Sequence, residues 1–167
     1  MSIASPLNVL FLCTHNSTRS ILAEALLNHI GHGGFKAYSA GSSPLENQTP
    51  NTLGLHVLQR AGIAAEGLRS KSWDEFGAPD SPKMDLIITV CDKAAGERCP
   101  TWPGHPATAH WGYPDPSEGN DLDAENLEAI QKTMYSMKRR LELLISLPKA
   151  KLEKGVLQET ARDLAKA

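Results

Sequence analysis

The stretch Asn8–Ile30, NVLFLCTHNSTRSILAEALLNHI, decides how this chain folds. Its first residues are a continuous apolar run, Asn8 to Leu12, of the kind buried on both faces of a parallel sheet. Its last residues place Ile21, Leu22, Ala25, Leu26 and Ile30 at helical spacing, and the glycines of GHGG stop the helix. Between strand and helix lies a short polar loop that begins with a cysteine, Cys13, and closes with an arginine, Arg19.

Working outward, the same alternation repeats. FKAYSAG (35–41) reads as a second strand, and a helix opening at Thr49 or Pro50 carries Leu53, Val57, Leu58 and Ala61 until Gly62 ends it. MDLIITVC (84–91) is another buried strand, residues 92–106 are irregular and rich in Gly and Pro, and ATAHWG (107–112) is a shorter last strand. YPDPSEGN (113–120) has turn chemistry. From about 122 to 147, Leu127, Ile130, Met134, Met137, Leu141 and Leu144 mark one face of a long helix, which Pro148 breaks. Leu152, Val156, Leu157 and Leu164 then predict one short extra helix, packed on the domain or used for self-association. Strands alternating with helices make an α/β fold around a parallel sheet, with one domain over 1–147 and a helical extension over 148–167.

Composition narrows the function. At 167 residues the chain supports one full core, and a net charge of −2 argues against nucleic acid or an anionic membrane as partner. No apolar run approaches the roughly 20 residues of a membrane span. The N-terminus lacks a secretory pattern, so a cytoplasmic location is expected. Cys13, Cys91 and Cys99 are too few for a disulfide framework. They are reactive, metal-binding or buried. Zinc held with His105 and His110 is a weak alternative, because the close C-x-x-C spacing is missing.

The loop itself points to chemistry. A strand-to-helix loop aims backbone N–H groups at one spot, at the positive end of the helix dipole. Cys13 at its head is expected to ionise below the ordinary thiol range, and Arg19 can close a planar fork over a tetrahedral oxyanion. Thr14, His15, Asn16, Ser17, Thr18 and Ser20 complete the oxyanion-binding loop. His15 either stabilises the thiolate or faces solvent. The bland alternative makes Cys13 a small buried hydrophobe in a turn.

CTHNSTRS, followed by YSAGS, ITVCD and a late Asp-Pro, resembles the low-molecular-weight protein tyrosine phosphatases and the arsenate reductases built on the same fold. The resemblance runs over residues 7–147 and implies a three-layer architecture, a four-stranded parallel sheet flanked by helices. It implies Cys13 as nucleophile and Asp115 as general acid, although Asp115 also suits a plain turn. A phosphatase needs one thiol. An arsenate reductase needs a second thiol to attack the first and a third to carry the disulfide outward. Cys91 and Cys99 match those roles, and Ser117, Glu118 and Gly119 stand where phosphatases of this fold carry aromatic residues. The resemblance thus favours arsenate reduction, a detoxification reaction, with phosphomonoester hydrolysis as the alternative. It implies no tightly bound cofactor or metal, thioredoxin or a glutathione/glutaredoxin system as external reductant, and phosphate or sulfate as substrate mimics. A monomer is expected, with dimerisation through the tail as the alternative. Some relatives bind potassium behind the loop with residues matching Asn16, Glu24 and Ser39. Here Lys71 stands where a further carboxylate is expected, so its ammonium is expected to replace the ion.

Overall fold

Leu7–Cys13 forms β1, Phe35–Gly41 β2, Leu86–Thr89 β3 and Ala107–His110 β4. The computed structural model describes residues 6–91, 102, 104–116 and 123–166. Its strands make one four-stranded sheet in the order β2-β1-β3-β4, with every pairing parallel. The central position of β1 explains the unbroken apolar run from Val9 to Cys13. Val9, Phe11 and Cys13 enter one core, while Leu10 and Leu12 enter another on the opposite face.

The first core is roofed by α1 (Arg19–Ile30), α2 (Thr52–Arg60) and α3 (Asp123–Ile145). Leu22, Leu26, Val57, Leu58, Ile130, Met134, Met137, Leu141 and Leu144 meet there, so both methionines are packing residues. The helix α2 starts later than Thr49 or Pro50, because the Asn51 side chain accepts from the Gly54 N–H and so sets the first turn. The second core holds Ala40, Phe76, Met84, Ile87 and Trp102. Phe76 reaches it from a 3-10 turn, Trp73–Phe76, which no periodicity could announce because it is one turn long.

Beyond Pro148 the chain forms two helices rather than one, α4 (Lys149–Leu152) and α5 (Leu157–Leu164), separated by residues 153–156. Leu157 and Ala161 are buried in the first core, and the Trp111 indole N–H donates to the Ala161 carbonyl at 2.9 Å. The tail therefore packs on its own sheet. Polar side chains meet the backbones of the two outermost strands. The Ala37 N–H donates to Asn28 Oδ1 at 2.8 Å, and Asn28 Nδ2 donates to the Ala37 carbonyl at 3.1 Å. On β4, the Thr108 N–H donates to Gln158 Oε1 at 3.1 Å, and Arg162 Nε donates to the Thr108 carbonyl at 3.0 Å. Among the described residues, no helix is long and apolar enough to cross a membrane.

Candidate active site

Cys13 is the last residue of β1 and Arg19 the first of α1, so the loop 14–18 bridges the carboxyl end of the sheet and a helix N-terminus. Its shape depends on Asn16, which is fully buried with φ at +56°, a left-handed conformation that Asn tolerates better than most residues. Asn16 Nδ2 donates to Ser20 Oγ at 2.8 Å and Ser39 Oγ at 3.0 Å, while its Oδ1 accepts from the Lys71 N–H at 3.0 Å.

Donors from elsewhere take the loop's carbonyls. The N–H groups of Ser42, Ser43 and Asn51 bond to the carbonyls of Cys13, Thr14 and Ser17, and Ser70 Oγ bonds to that of Asn16. A planar trans peptide sends its N–H opposite to its carbonyl. The N–H groups of Thr14, His15, Ser17 and Thr18 are thereby turned toward the inside of the loop. Gly41 is the residue that allows this wrapping. A Cβ there would stand 2.7 Å from the Thr14 carbonyl oxygen and 3.0 Å from the Asn16 nitrogen.

The hollow so formed has a volume of about 120 Å³ and is lined by Cys13, His15, Ser17, Thr18, Arg19, Asn51 and Asp115. A larger cavity of about 530 Å³, near Trp102 and Arg162, holds none of these side chains. His15 is exposed at the rim. Arg19 Nη1 donates to the Tyr113 carbonyl at 2.8 Å, and its Nη2 lies 4.0 Å from Asp115 Oδ2.

Cys91 follows β3, the neighbour of β1, and is buried. Its Sγ lies 3.5 Å from Thr14 Oγ1, and its thiol is hydrogen-bonded with that of Cys13. This pairing corrects one expectation. The Cys91 thiol and burial push the Cys13 thiol well above its ordinary range, outweighing Arg19 and the Thr14 N–H, which pull it down. Cys99 lies outside the described residues, as do Ser117, Glu118 and Gly119.

Behind the loop, Ser39 Oγ donates to Glu24 Oε1 at 2.5 Å. Lys71 Nζ donates to the carbonyls of Ser39 and Arg69, each at 2.8 Å, and lies 3.9 Å from Glu24 Oε1. Burial pushes the Glu24 carboxyl up and the Lys71 ammonium down, each opposed by the other's charge. The ammonium bonds to the Ser39 carbonyl and stands beside Glu24, two of the three residues matched to potassium binding, so a further cation there would meet its charge.

Residues 8–156 match the low molecular weight phosphotyrosine protein phosphatase family. The chain belongs to that family. Within it, the chain is 32% identical over 136 residues to an arsenate reductase of Bacillus licheniformis, an alignment covering 80% of this chain and 91% of the relative. A solved structure of an arsenate reductase in its phosphate-binding state superposes with a TM-score of 0.64 at 26% identity, over 88% of this chain and 99% of that one. The thioredoxin-dependent arsenate reductase of Corynebacterium glutamicum superposes with a TM-score of 0.55 at 28% identity, over 85% of this chain and 65% of that one.

Family motifs drew attention to Cys13, Arg19, Asp115 and Cys91 but not to every residue that shapes the site. Asn51 was missed with the helix start, although the preference of Asn for helix N-caps is the signal that could have found it. Gly41, Ser70 and Tyr113 carry no local signal of their own, since what they touch lies far away in sequence.

Proposed function

We propose that the protein reduces arsenate to arsenite, drawing its electrons from thioredoxin or a glutaredoxin system in the cytoplasm. The observation that supports this reading most is the pairing of the buried Cys91 thiol with Cys13, which lines the oxyanion hollow. A hydrolase has no use for the second thiol; a two-electron reduction does.

Arsenate binds to the loop N–H groups and Arg19. A Cys13 thiol with a dianion carries the same protons as a thiolate with a monoanion, so the oxyanion itself can take the proton. Cys13 Sγ attacks arsenic, and one oxygen leaves as water after protonation by Asp115. Cys91 then attacks Cys13 Sγ. The sulfur–sulfur bond forms, the sulfur–arsenic bond breaks, and its electron pair stays on arsenic, which departs as arsenite. Cys99 attacks Cys91, freeing Cys13, and an external dithiol reduces the Cys91–Cys99 disulfide. Asn16, Glu24, Ser39 and Lys71 hold the loop in shape. One chain is the working unit, with the chemistry in residues 1–147 and 148–167 as an extension.

The test sets arsenate-dependent NADPH oxidation, with thioredoxin and its reductase, beside aryl phosphate hydrolysis. Arsenate turnover that is lost in Cys91→Ser is expected, and Cys99→Ser is expected to trap a Cys13–Cys91 disulfide after one turnover. Catalytic turnover by Cys91→Ser would sink the relay. Phosphatase activity without arsenate turnover would favour the hydrolytic reading, which uses the same Cys13, Arg19 and Asp115.

A further inference from the structure

Tyr113 links, through its backbone, the segment that leads from β3 to Cys91 with the arginine that closes the Cys13 loop. Its N–H donates to the Val90 carbonyl at 3.0 Å, directly before Cys91, and its carbonyl accepts from Arg19 at 2.8 Å. Asp115 lies two residues further on, in a segment stiffened by Pro114 and Pro116. Where Tyr113 sits therefore sets Arg19 and Asp115 together and bears on the end of β3.

What holds the Tyr113 side chain is Arg140, from the C-terminal third of α3. Arg140 Nη1 donates to Tyr113 Oη at 2.9 Å, and its guanidinium lies 5.2 Å from the Tyr113 ring centre and 5.5 Å from that of Trp111. Its Nη2 reaches the Ala165 carbonyl at 3.4 Å, just beyond α5. The Tyr113 and Trp111 rings are both buried, so this contact is shielded from water. A planar guanidinium can lie against rings and donate in several directions at once; an ammonium cannot do both.

We infer that Arg140 is a positioning residue for the oxyanion site, acting through Tyr113 on Arg19. It touches neither oxyanion nor thiol. The inference rests on the reading of the Cys13 loop as an oxyanion site but not on arsenate being the oxyanion.

The test compares wild type with Arg140→Gln, Arg140→Lys and Tyr113→Phe, using folded protein throughout. Two quantities are read: the Kd for inorganic phosphate, and the pH midpoint of Cys13 alkylation resolved by mass spectrometry. Arg140→Gln is expected to weaken phosphate about tenfold, the size of one charge-assisted hydrogen bond held out of place. It is also expected to shift the alkylation midpoint upward, since Arg19 is a group that lowers the Cys13 thiol. Arg140→Lys is expected to recover only part of both effects, and Tyr113→Phe to weaken phosphate about threefold. A folded Arg140→Gln with a lower Tm but wild-type phosphate affinity and alkylation midpoint overturns the inference. Should Arg140→Gln fail to fold, Tyr113→Phe decides on the same criteria, because it removes only the hydroxyl. Both readouts remain available if arsenate turnover is absent, so the two failures are distinguishable.

Discussion

Cys13 sits under opposed influences, and their balance has a pH signature. Burial and the Cys91 thiol raise its folded-state value, while the unfolded chain returns it to the ordinary range. A raised value means that the folded protein holds the proton more tightly than the unfolded one. That contribution to stability is complete below the unfolded value, about 8.5, and is lost as pH rises above it. Cys13→Ser is therefore expected to flatten the alkaline decline of the urea midpoint between pH 8 and 10; an unchanged slope would refute the assignment. Lys71 makes a second residue-level prediction. With an ammonium already bonded to the Ser39 and Arg69 carbonyls, arsenate turnover is expected to be the same in sodium and potassium buffers. A clear dependence on potassium would remove Lys71 from this role. Cys13 and Arg19 were readable in the sequence because the whole device, strand, loop and helix start, is contiguous. Arg140 was not, since the pattern of α3 marks its apolar face and says nothing of an arginine beside it.

Among the elements, α5 depends most on context. Leu157 is 2% exposed, and with Ala161 it lies in the core shared with α3 and Trp111. Leu157→Ala is expected to destabilise the fold by about 2–4 kcal/mol, the usual range for deleting a buried leucine, measured by urea unfolding. A change near zero would mean that the tail rests on the sheet without being part of its core. The long helix was legible because its apolar stripe repeats over many turns. The tail was harder: its leucines have helical spacing, but the break at 153–156 splits them, and only the Trp111 indole meeting the Ala161 carbonyl shows where it docks. The turn at Trp73–Phe76 was illegible for a different reason. It buries Phe76 against the face of the sheet away from α1, through contacts the local sequence does not encode.

At the scale of the molecule, the parallel order β2-β1-β3-β4 places the strand ends bearing Cys13 and Cys91 side by side. That convergence was readable, since strands alternating with helices leave ligands at the carboxyl ends of the sheet. A tetrahedral anion in the hollow ties β1, α1 and the segment after β4 together, so it is expected to stabilise the whole fold. At one hundred times its Kd, phosphate should add about 2.7 kcal/mol. For a chain of this size that is a rise in Tm of roughly 5–10 °C. Arg19→Ala should abolish the rise, and a thermal melt with no phosphate response in the wild type would count against the hollow as an anion site.

The side chains that meet Ala37 and Thr108 have a consequence for the sheet's freedom to grow. A bare edge strand invites a strand from another chain to continue the ladder, the first step toward cross-β aggregation. Asn28 occupies that ladder position on one edge, and Gln158 with Arg162 occupies it on the other. Asn28 belongs to the helix that precedes β2, so that guard is made before the edge it protects. Gln158 and Arg162 are synthesised after all four strands. The β4 edge is consequently open to foreign pairing whenever the last helix is undocked.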